Sequence, residues 1–221
     1  MHFAFVFHFA MVISVFGASG RSGRAFIAAA SAAGISLRLH YRSAPEDDAP
    51  PLSTVVVGAL TDPTAVREVL RGASAVVILF GPRPKARHVF TAKATRAIVD
   101  GMMNLGQTRL VCVTGALIGA KGGNISIPMR TLEFAIRRIG DDEQGEDRVA
   151  QERIVRASKL EWTLVKPPRL TDGTEVSTVR AGPDLAVGLR SRMSRATLAA
   201  FLLDEILHPR YVQQAVYLNG A

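Results

Sequence analysis

Short apolar runs rich in β-branched residues alternate along the chain with longer stretches whose apolar positions recur at three- and four-residue spacing. The first kind reads as buried strand and the second as amphipathic helix. Strand one is predicted from near Met11 to Phe16, ahead of an alanine-rich helix from Arg24 to Ala33 that Gly34 stops. Ile35 to Tyr41 gives a second strand and Thr54 to Val57 a third, separated by the Pro/Asp-rich loop 44–53. Asp62 and Pro63 have the chemistry of an N-cap and a first helical residue, and that helix runs to about Leu70, before Arg71-Gly72. Ala75 to Phe80 is a continuous apolar run of buried-strand type, closed by Gly81-Pro82. Val89, Phe90, Ala94, Ala97, Ile98, Gly101, Met102 and Leu105 share one face of a helix over 88–105.

Leu110 to Val113 forms the fifth strand, and a glycine-rich loop runs from Gly115 to Pro128. A helix over 129–139, the acidic patch Asp141 to Asp147 and a further helix through Ser158 follow. Trp162 to Val165 is the sixth strand, ending in Lys166-Pro167-Pro168-Arg169. The chain closes with a helix from Arg195 to Leu207, capped by Ser194, and a short strand over Val216 to Leu218. Strands alternating with helices predict an α/β fold, a doubly wound parallel sheet in three layers. No internal repeat or second domain is visible, and 221 residues suit one domain over 11–221.

The first strand–helix junction carries chemistry. Val12 to Gly23 reads VISVFGASGRSG, a strand that meets a G-x-x-G-x-x-G turn opening onto a helix. Gly17 permits the sharp turn, Gly20 lets a pyrophosphate approach the backbone, and Gly23 lets the helix lie close. The helix N-terminus then offers N–H groups and partial positive charge to phosphates. The sheet is therefore expected to be of Rossmann type, with a dinucleotide at its carboxyl edge.

At the end of strand two an acid would pair with the ribose hydroxyls of NAD, but this chain has Arg42, whose guanidinium suits a 2′-phosphate. Arg21 could reach the same group, so NADP is expected rather than NAD. The basic loop 81–88, with Arg83, Lys85, Arg87 and His88, stands where ligands of open α/β sheets bind.

Composition adds limits. The formal charge is +8, but its arginines are scattered and no run of like charge marks a nucleic-acid or membrane partner. Cys112 is the only cysteine, so no disulfide or thiolate cluster forms within the chain; in its apolar strand it reads as a core residue. No His/Asp/Glu cluster has metal-like spacing. Residues 1–10 are nearly all apolar, lack a cationic start and fall short of the ~20 residues of a membrane span. They are expected to be an extension outside the fold, with Met11 a plausible alternative start.

The stretches VFGASGRSG, YRS, VVVGALTDPTAVREVLRGASAVVILFG, LVCVTGA, SKLEWTLVKPPRLTDG and SRATLAAFLL run in a familiar order from Val12 to about Tyr217. In them the chain resembles the atypical short-chain dehydrogenase/reductases with an NAD(P)H-binding domain, the NmrA-like group. Within that group it is most similar to the branch of biliverdin reductase B and the flavin reductases. The resemblance implies that Gly17, Ser19, Gly20, Arg21, Ser22, Gly23 and Arg42 hold NADP. Phe80, Gly81, Thr114 and Gly115 would border the adenine and nicotinamide, and Pro168, Arg169 and Leu170 would close over the nicotinamide. The chain departs from the branch at three places: Ala59 stands for an aspartate, Gly115 for a serine and Arg169 for a histidine.

The Tyr-x-x-x-Lys dyad of typical short-chain dehydrogenases is missing, since none of Tyr41, Tyr211 and Tyr217 has a lysine four residues on. Hydride transfer to a flavin or quinone needs no such dyad, because stacking and orientation carry most of it. Two readings follow: an NADPH-dependent oxidoreductase of flavin-reductase type, or a non-catalytic NADP-binding regulator. An isomerase or epimerase suffers more from the missing tyrosine. In the first reading Thr114 and Arg169 are the catalytic candidates, Thr114 orienting a carboxamide or substrate and Arg169 attracting an anionic acceptor. Arg148 and Lys166 are weaker candidates for the same task and read first as surface or helix-packing charges. The remaining expectation is a cytoplasmic monomer or weak homo-oligomer that takes a small-molecule acceptor.

Overall fold

A computed structural model describes residues 11–81, 90–119, 124–126, 131 and 143–220. The extension 1–10, the basic residues Arg83, Lys85, Arg87 and His88, and nearly all of the helix expected over 129–139 lie outside the described residues.

The apolar runs form strands where expected: β1 (Val12–Phe16), β2 (Ser36–Tyr41), β3 (Ser53–Val57), β4 (Ala75–Ile78), β5 (Arg109–Val113) and β6 (Glu161–Lys166). The helices among the described residues are α1 (Arg21–Ala32), α2 (Pro63–Leu70), α3 (Thr91–Asn104), α4 (Glu143–Ala157) and α5 (Arg195–Leu207). Four further strands complete the set: β7 (Arg169–Thr171), β8 (Val179–Gly182), β9 (Arg192–Ser194) and β10 (Gln214–Gly220). The main sheet runs β3-β2-β1-β4-β5-β6-β10-β8, parallel except for β8, which pairs antiparallel with β10. This is a Rossmann-like, doubly wound three-layer fold.

Strand alternation divides the core into two layers. Ile13, Val15, Ala75, Val77, Val111, Val113 and Val165 face α1 and α5, where Phe26, Ile27, Leu198, Leu202 and Ile206 meet them. Phe16, Val76, Ile78, Leu110, Cys112, Trp162 and Leu164 face the other helices, against Val66, Leu70, Ile98, Met102 and Val155. Cys112 is the core residue expected of it, and burial pushes its thiol up to about 12.

Three boundaries moved for physical reasons. α1 begins at Arg21, inside the glycine motif rather than after it, because Gly20 is already its N-cap. β4 stops at Ile78 because the chain then passes over Gly17: Leu79 N donates to Phe16 O at 2.8 Å, and Phe80 leaves the ladder. α3 begins at Thr91 although Phe90 offers it no side-chain cap. The cap comes from α4 instead. Asp147 accepts from Thr91 N at 2.8 Å and from Ala92 N at 2.9 Å, closing the helix start with one oxygen each.

The parallel pair β7–β9 and the edge strand β8 carry no predictive pattern, being short and largely half-exposed. At the amino ends of β5 and β6 lies a buried ion pair. Arg109 donates to Glu205 Oε1 at 3.0 Å and to Thr163 Oγ1 at 2.8 Å, and Glu205 also accepts from Tyr211 N at 3.0 Å. No helix among the described residues is long and apolar enough to cross a membrane.

Because α3 depends on a carboxylate far away in sequence, Asp147→Ala should destabilise the protein by about 1–2 kcal/mol, the usual effect of removing a cap. Urea denaturation of the variant at pH 7 measures it; an unchanged midpoint would show that the cap contributes nothing.

Candidate functional site

The strand order reverses between β2-β1 and β4-β5, so the switch point lies between the carboxyl ends of β1 and β4. Gly17 stands there with φ of +100°, and a Cβ on it would lie 2.6 Å from Phe80 N and 2.9 Å from Leu79 C. No other residue fits. Gly23 is equally constrained, since a Cβ there would fall on the Gly17 carbonyl oxygen. Gly20 N donates to Gly17 O at 3.0 Å, which folds the turn back beneath the start of α1.

That helix start is open. Gly20 supplies no side-chain cap, and the first turn carries no acid. By contrast, α2 is capped by Asp62, α5 by Ser194 and α3 by Asp147. An uncapped N-terminus with Ser19, Gly20 and Arg21 exposed at a switch point has the donors and charge that a pyrophosphate needs. Ser22 is half-buried beside them. The Arg21 guanidinium pairs with Asp172 at 3.0 Å, and Asp172 also pairs with Arg195 at 2.5 Å, tying the glycine turn to the segment after β7. Arg42 is exposed at the carboxyl end of β2, on the far side of β1 from β4. The residues present suit a dinucleotide: an open helix start at the switch point, with an exposed arginine on its β2 side and open strand ends on the other.

On that second side the structure gathers Phe80, Gly81, Thr114, Gly115 and Pro168 at consecutive strand ends. Phe80 packs on Phe90, with ring centroids 5.8 Å apart. Pro168 is buried, and Leu170 packs against the core layer shared by α1 and α5. Arg169 is exposed and lies in register with Arg192 of β9. The Thr114 hydroxyl turns inward and donates to Glu152 Oε1 at 2.7 Å.

Glu152 belongs to a cluster that the sequence reading missed. Lys166 Nζ donates to the same Oε1 at 2.5 Å and to the Ile118 carbonyl, and it lies 5.5 Å from the Tyr217 ring centroid. Arg156 stands 3.6 Å from Glu152 Oε2. Arg148 donates through Nη2 to the Thr114 carbonyl. Of the two expectations for Lys166, helix packing is the one met: it is fully buried against Glu152 of α4, and burial pulls its pKa below the ordinary lysine range, opposed by the Glu152 carboxylate. Burial lowers Arg148 likewise, with Glu152 and Asp147 opposing.

The missed signal was a lysine ending an otherwise apolar strand, EWTLVK, opposite a helix with arginines four residues either side of a glutamate. A buried lysine needs a carboxylate, and among the described residues Glu152 supplies it. Two open cavities of about 400 and 450 Å³ lie elsewhere, around Ser194 and Thr197 and around Phe201 and Tyr211.

Fold and site together define an α/β protein with a dinucleotide crevice at a switch point. The chain belongs to the NAD(P)H-binding family, whose pattern it matches over residues 17–209. Among solved structures it is similar to a wide-type short-chain dehydrogenase/reductase from Veillonella parvula DSM 2008 in complex with NADP (TM-score 0.76, 16% identity, 95% of this chain and 94% of that one). It is also similar to an anaerobilin reductase from Escherichia coli O157:H7 (TM-score 0.75, 20% identity, 95% and 97% covered). A third is a candidate NADH-flavin reductase from Streptococcus pneumoniae TIGR4 (TM-score 0.72, 19% identity, 96% and 100% covered). At these identities the likenesses show a shared fold.

The buried pair makes a sharp prediction. Lys166→Met, which takes from Glu152 its fully buried partner and leaves the more distant Arg156 and Arg148 as counter-charges, should destabilise the fold by about 3–5 kcal/mol. Adding Glu152→Gln should recover most of that, because a neutral amide needs no counter-ion and still accepts from Thr114. Equal midpoints for the single and double variants in urea would mean that the two side chains are not coupled.

Proposed function

We propose that the protein is an NADPH-dependent oxidoreductase of flavin-reductase type, passing hydride to a small ring-shaped acceptor such as a flavin or quinone. In this reading it is an atypical short-chain dehydrogenase/reductase of the NmrA-like group, akin to the biliverdin reductase B branch. The observation that carries the proposal is the uncapped start of α1 at the switch point, flanked by Arg42 on one side and open strand ends on the other. Family membership supports a nicotinamide cofactor. The neighbours named as flavin and anaerobilin reductases support a planar conjugated acceptor.

Gly17, Ser19, Gly20, Ser22 and Gly23 would hold the pyrophosphate, and Arg42 would grip the 2′-phosphate with Arg21 nearby. Phe80, Gly81, Thr114, Gly115, Pro168 and Leu170 would frame the remaining half. When bound, the cofactor supplies the hydride. The protein's part is to hold two rings in contact and keep them oriented. Thr114 contributes strand-end geometry more than acid chemistry, because its hydroxyl is engaged by Glu152. Arg169, exposed beside Arg192, is suited to drawing in an anionic acceptor.

NADPH oxidation with FMN, riboflavin and quinones tests the activity, and turnover with at least one is expected. Tight NADP binding with no turnover across the panel would replace the enzyme with a nucleotide-binding regulator. Cofactor choice has its own test. Arg42→Asp should weaken NADPH roughly 10- to 100-fold, the loss of a charge-assisted pair of hydrogen bonds, while NADH binding changes little. Equal losses for both nucleotides would remove the 2′-phosphate from Arg42.

A further inference from the structure

Arg148 stands at the end of the cleft that the phosphate cradle leaves open. Its Nη1 lies 3.6 Å from where a Cβ on Gly81 would be, and its Nη2 lies 4.0 Å from the corresponding point on Gly115. The guanidinium thus lies across the carboxyl ends of β4 and β5, pinned by its bond to the Thr114 carbonyl. Its Nε is buried without a hydrogen-bond partner. The carboxylates beside it on α4 are engaged elsewhere. Asp147 closes the start of α3, and Glu152 serves Thr114, Lys166 and Arg156. Among the described residues, this corner therefore holds three cations, Arg148, Lys166 and Arg156, around two carboxylates, Glu152 and Asp147, and the Asp147 oxygens are both taken by backbone N–H groups.

Arg42 and the start of α1 occupy the β2–β1 side of the switch point, so a dinucleotide seated there extends its nicotinamide half over β4 and β5. An oxidised nicotinamide ring carries a formal positive charge, whereas the reduced ring is neutral. A fixed, poorly solvated cation at that corner repels the first and leaves the second untouched. We propose that Arg148 is a specificity-determining residue that makes the site select the reduced nucleotide over the oxidised one. The inference rests on the nucleotide reading of the cleft but not on any acceptor. It would speed release of NADP after each turnover, while the same linkage makes bound NADPH a slightly weaker hydride donor. The same preference would let a protein without turnover report the ratio of the two.

Calorimetric titration with NADPH and with NADP, each on the wild-type chain and on Arg148→Gln and Arg148→Met, tests the proposal. The wild-type chain should bind NADPH about tenfold more tightly than NADP, the effect of one unit charge a few ångströms away at intermediate dielectric. Both neutral variants should bring the two affinities close together, mainly by tightening NADP, and Arg148→Lys should keep most of the preference. A wild-type ratio of one overturns the proposal, as does a ratio that survives in the neutral variants. Thermal melts identify a variant that fails to fold; the other neutral variant then decides, and if both fail the wild-type ratio does. Binding of neither nucleotide removes the cofactor reading as a whole, which distinguishes that failure from equal binding of both.

Discussion

Two backbones come unusually close at the carboxyl ends of β1 and β4, and the site depends on that approach. With Gly17 at φ of +100° and the peptide after Leu79 against its α-carbon, β1 must turn sharply and β4 must leave the sheet. The first consequence is that α1 starts directly over the turn, with Gly23 against the Gly17 carbonyl. The second is that Phe80 and Gly81 are carried out into the crevice instead of continuing the ladder. The open start of α1 and the floor of the opposite half of the cleft thus share one origin. A side chain at position 17 would displace both.

Charge is managed differently at the two ends of the sheet. At the amino ends of β5 and β6, Glu205 accepts from the buried Arg109 at 3.0 Å, stands 3.8 Å from the more exposed Arg210 and is surrounded by further hydrogen bonds, as a buried charge requires. At the carboxyl ends the balance is uneven, with Glu152 shared among several cations and Thr114. The pair at the closed end holds helix α5 and two strands together. The cluster at the open end also holds α4 to the sheet, but it leaves positive charge facing the crevice. The same α4 supplies the Asp147 cap of α3, so one helix stabilises its neighbour and shapes the field in the cleft.

Local signals made the first six strands, the five described helices, the short last strand and the glycine turn legible in the sequence. Each rests on a short-range rule: an apolar run, an Asp-Pro or Ser start, a glycine where a Cβ has no room. The caps at Asp62 and Ser194 were readable for the same reason, because cap and helix are adjacent. Asp147 was not, since it serves a helix start 56 residues away. The pair β7–β9 and the edge β8 were illegible because short, half-exposed strands carry little periodicity. For Arg148 and Lys166 the sequence left surface and helix-packing roles open, because most arginines and lysines are exposed and nothing local marks the exceptions. Only the packing of α4 on β5 and β6 brings Glu152 to both Lys166 and the Thr114 hydroxyl and sets Arg148 across the strand ends.

That packing also bears on which chemistry the crevice suits. A hydroxyl at the end of β5 is placed to donate a proton to a carbonyl under reduction, but Thr114 already donates to a carboxylate whose other contacts are cations. Turning it outward would strip a hydrogen bond from a buried charge, a loss of about 1.5–3 kcal/mol before any new bond forms. A reaction that relied on this hydroxyl as an acid would meet that loss in every turnover. Hydride transfer between two stacked rings makes no such demand, because the proton can come from water once the charge has moved. The inward hydroxyl and the missing tyrosine–lysine dyad therefore point the same way. Both leave orientation and electrostatics as the protein's contribution, and both are supplied by residues fixed at strand ends.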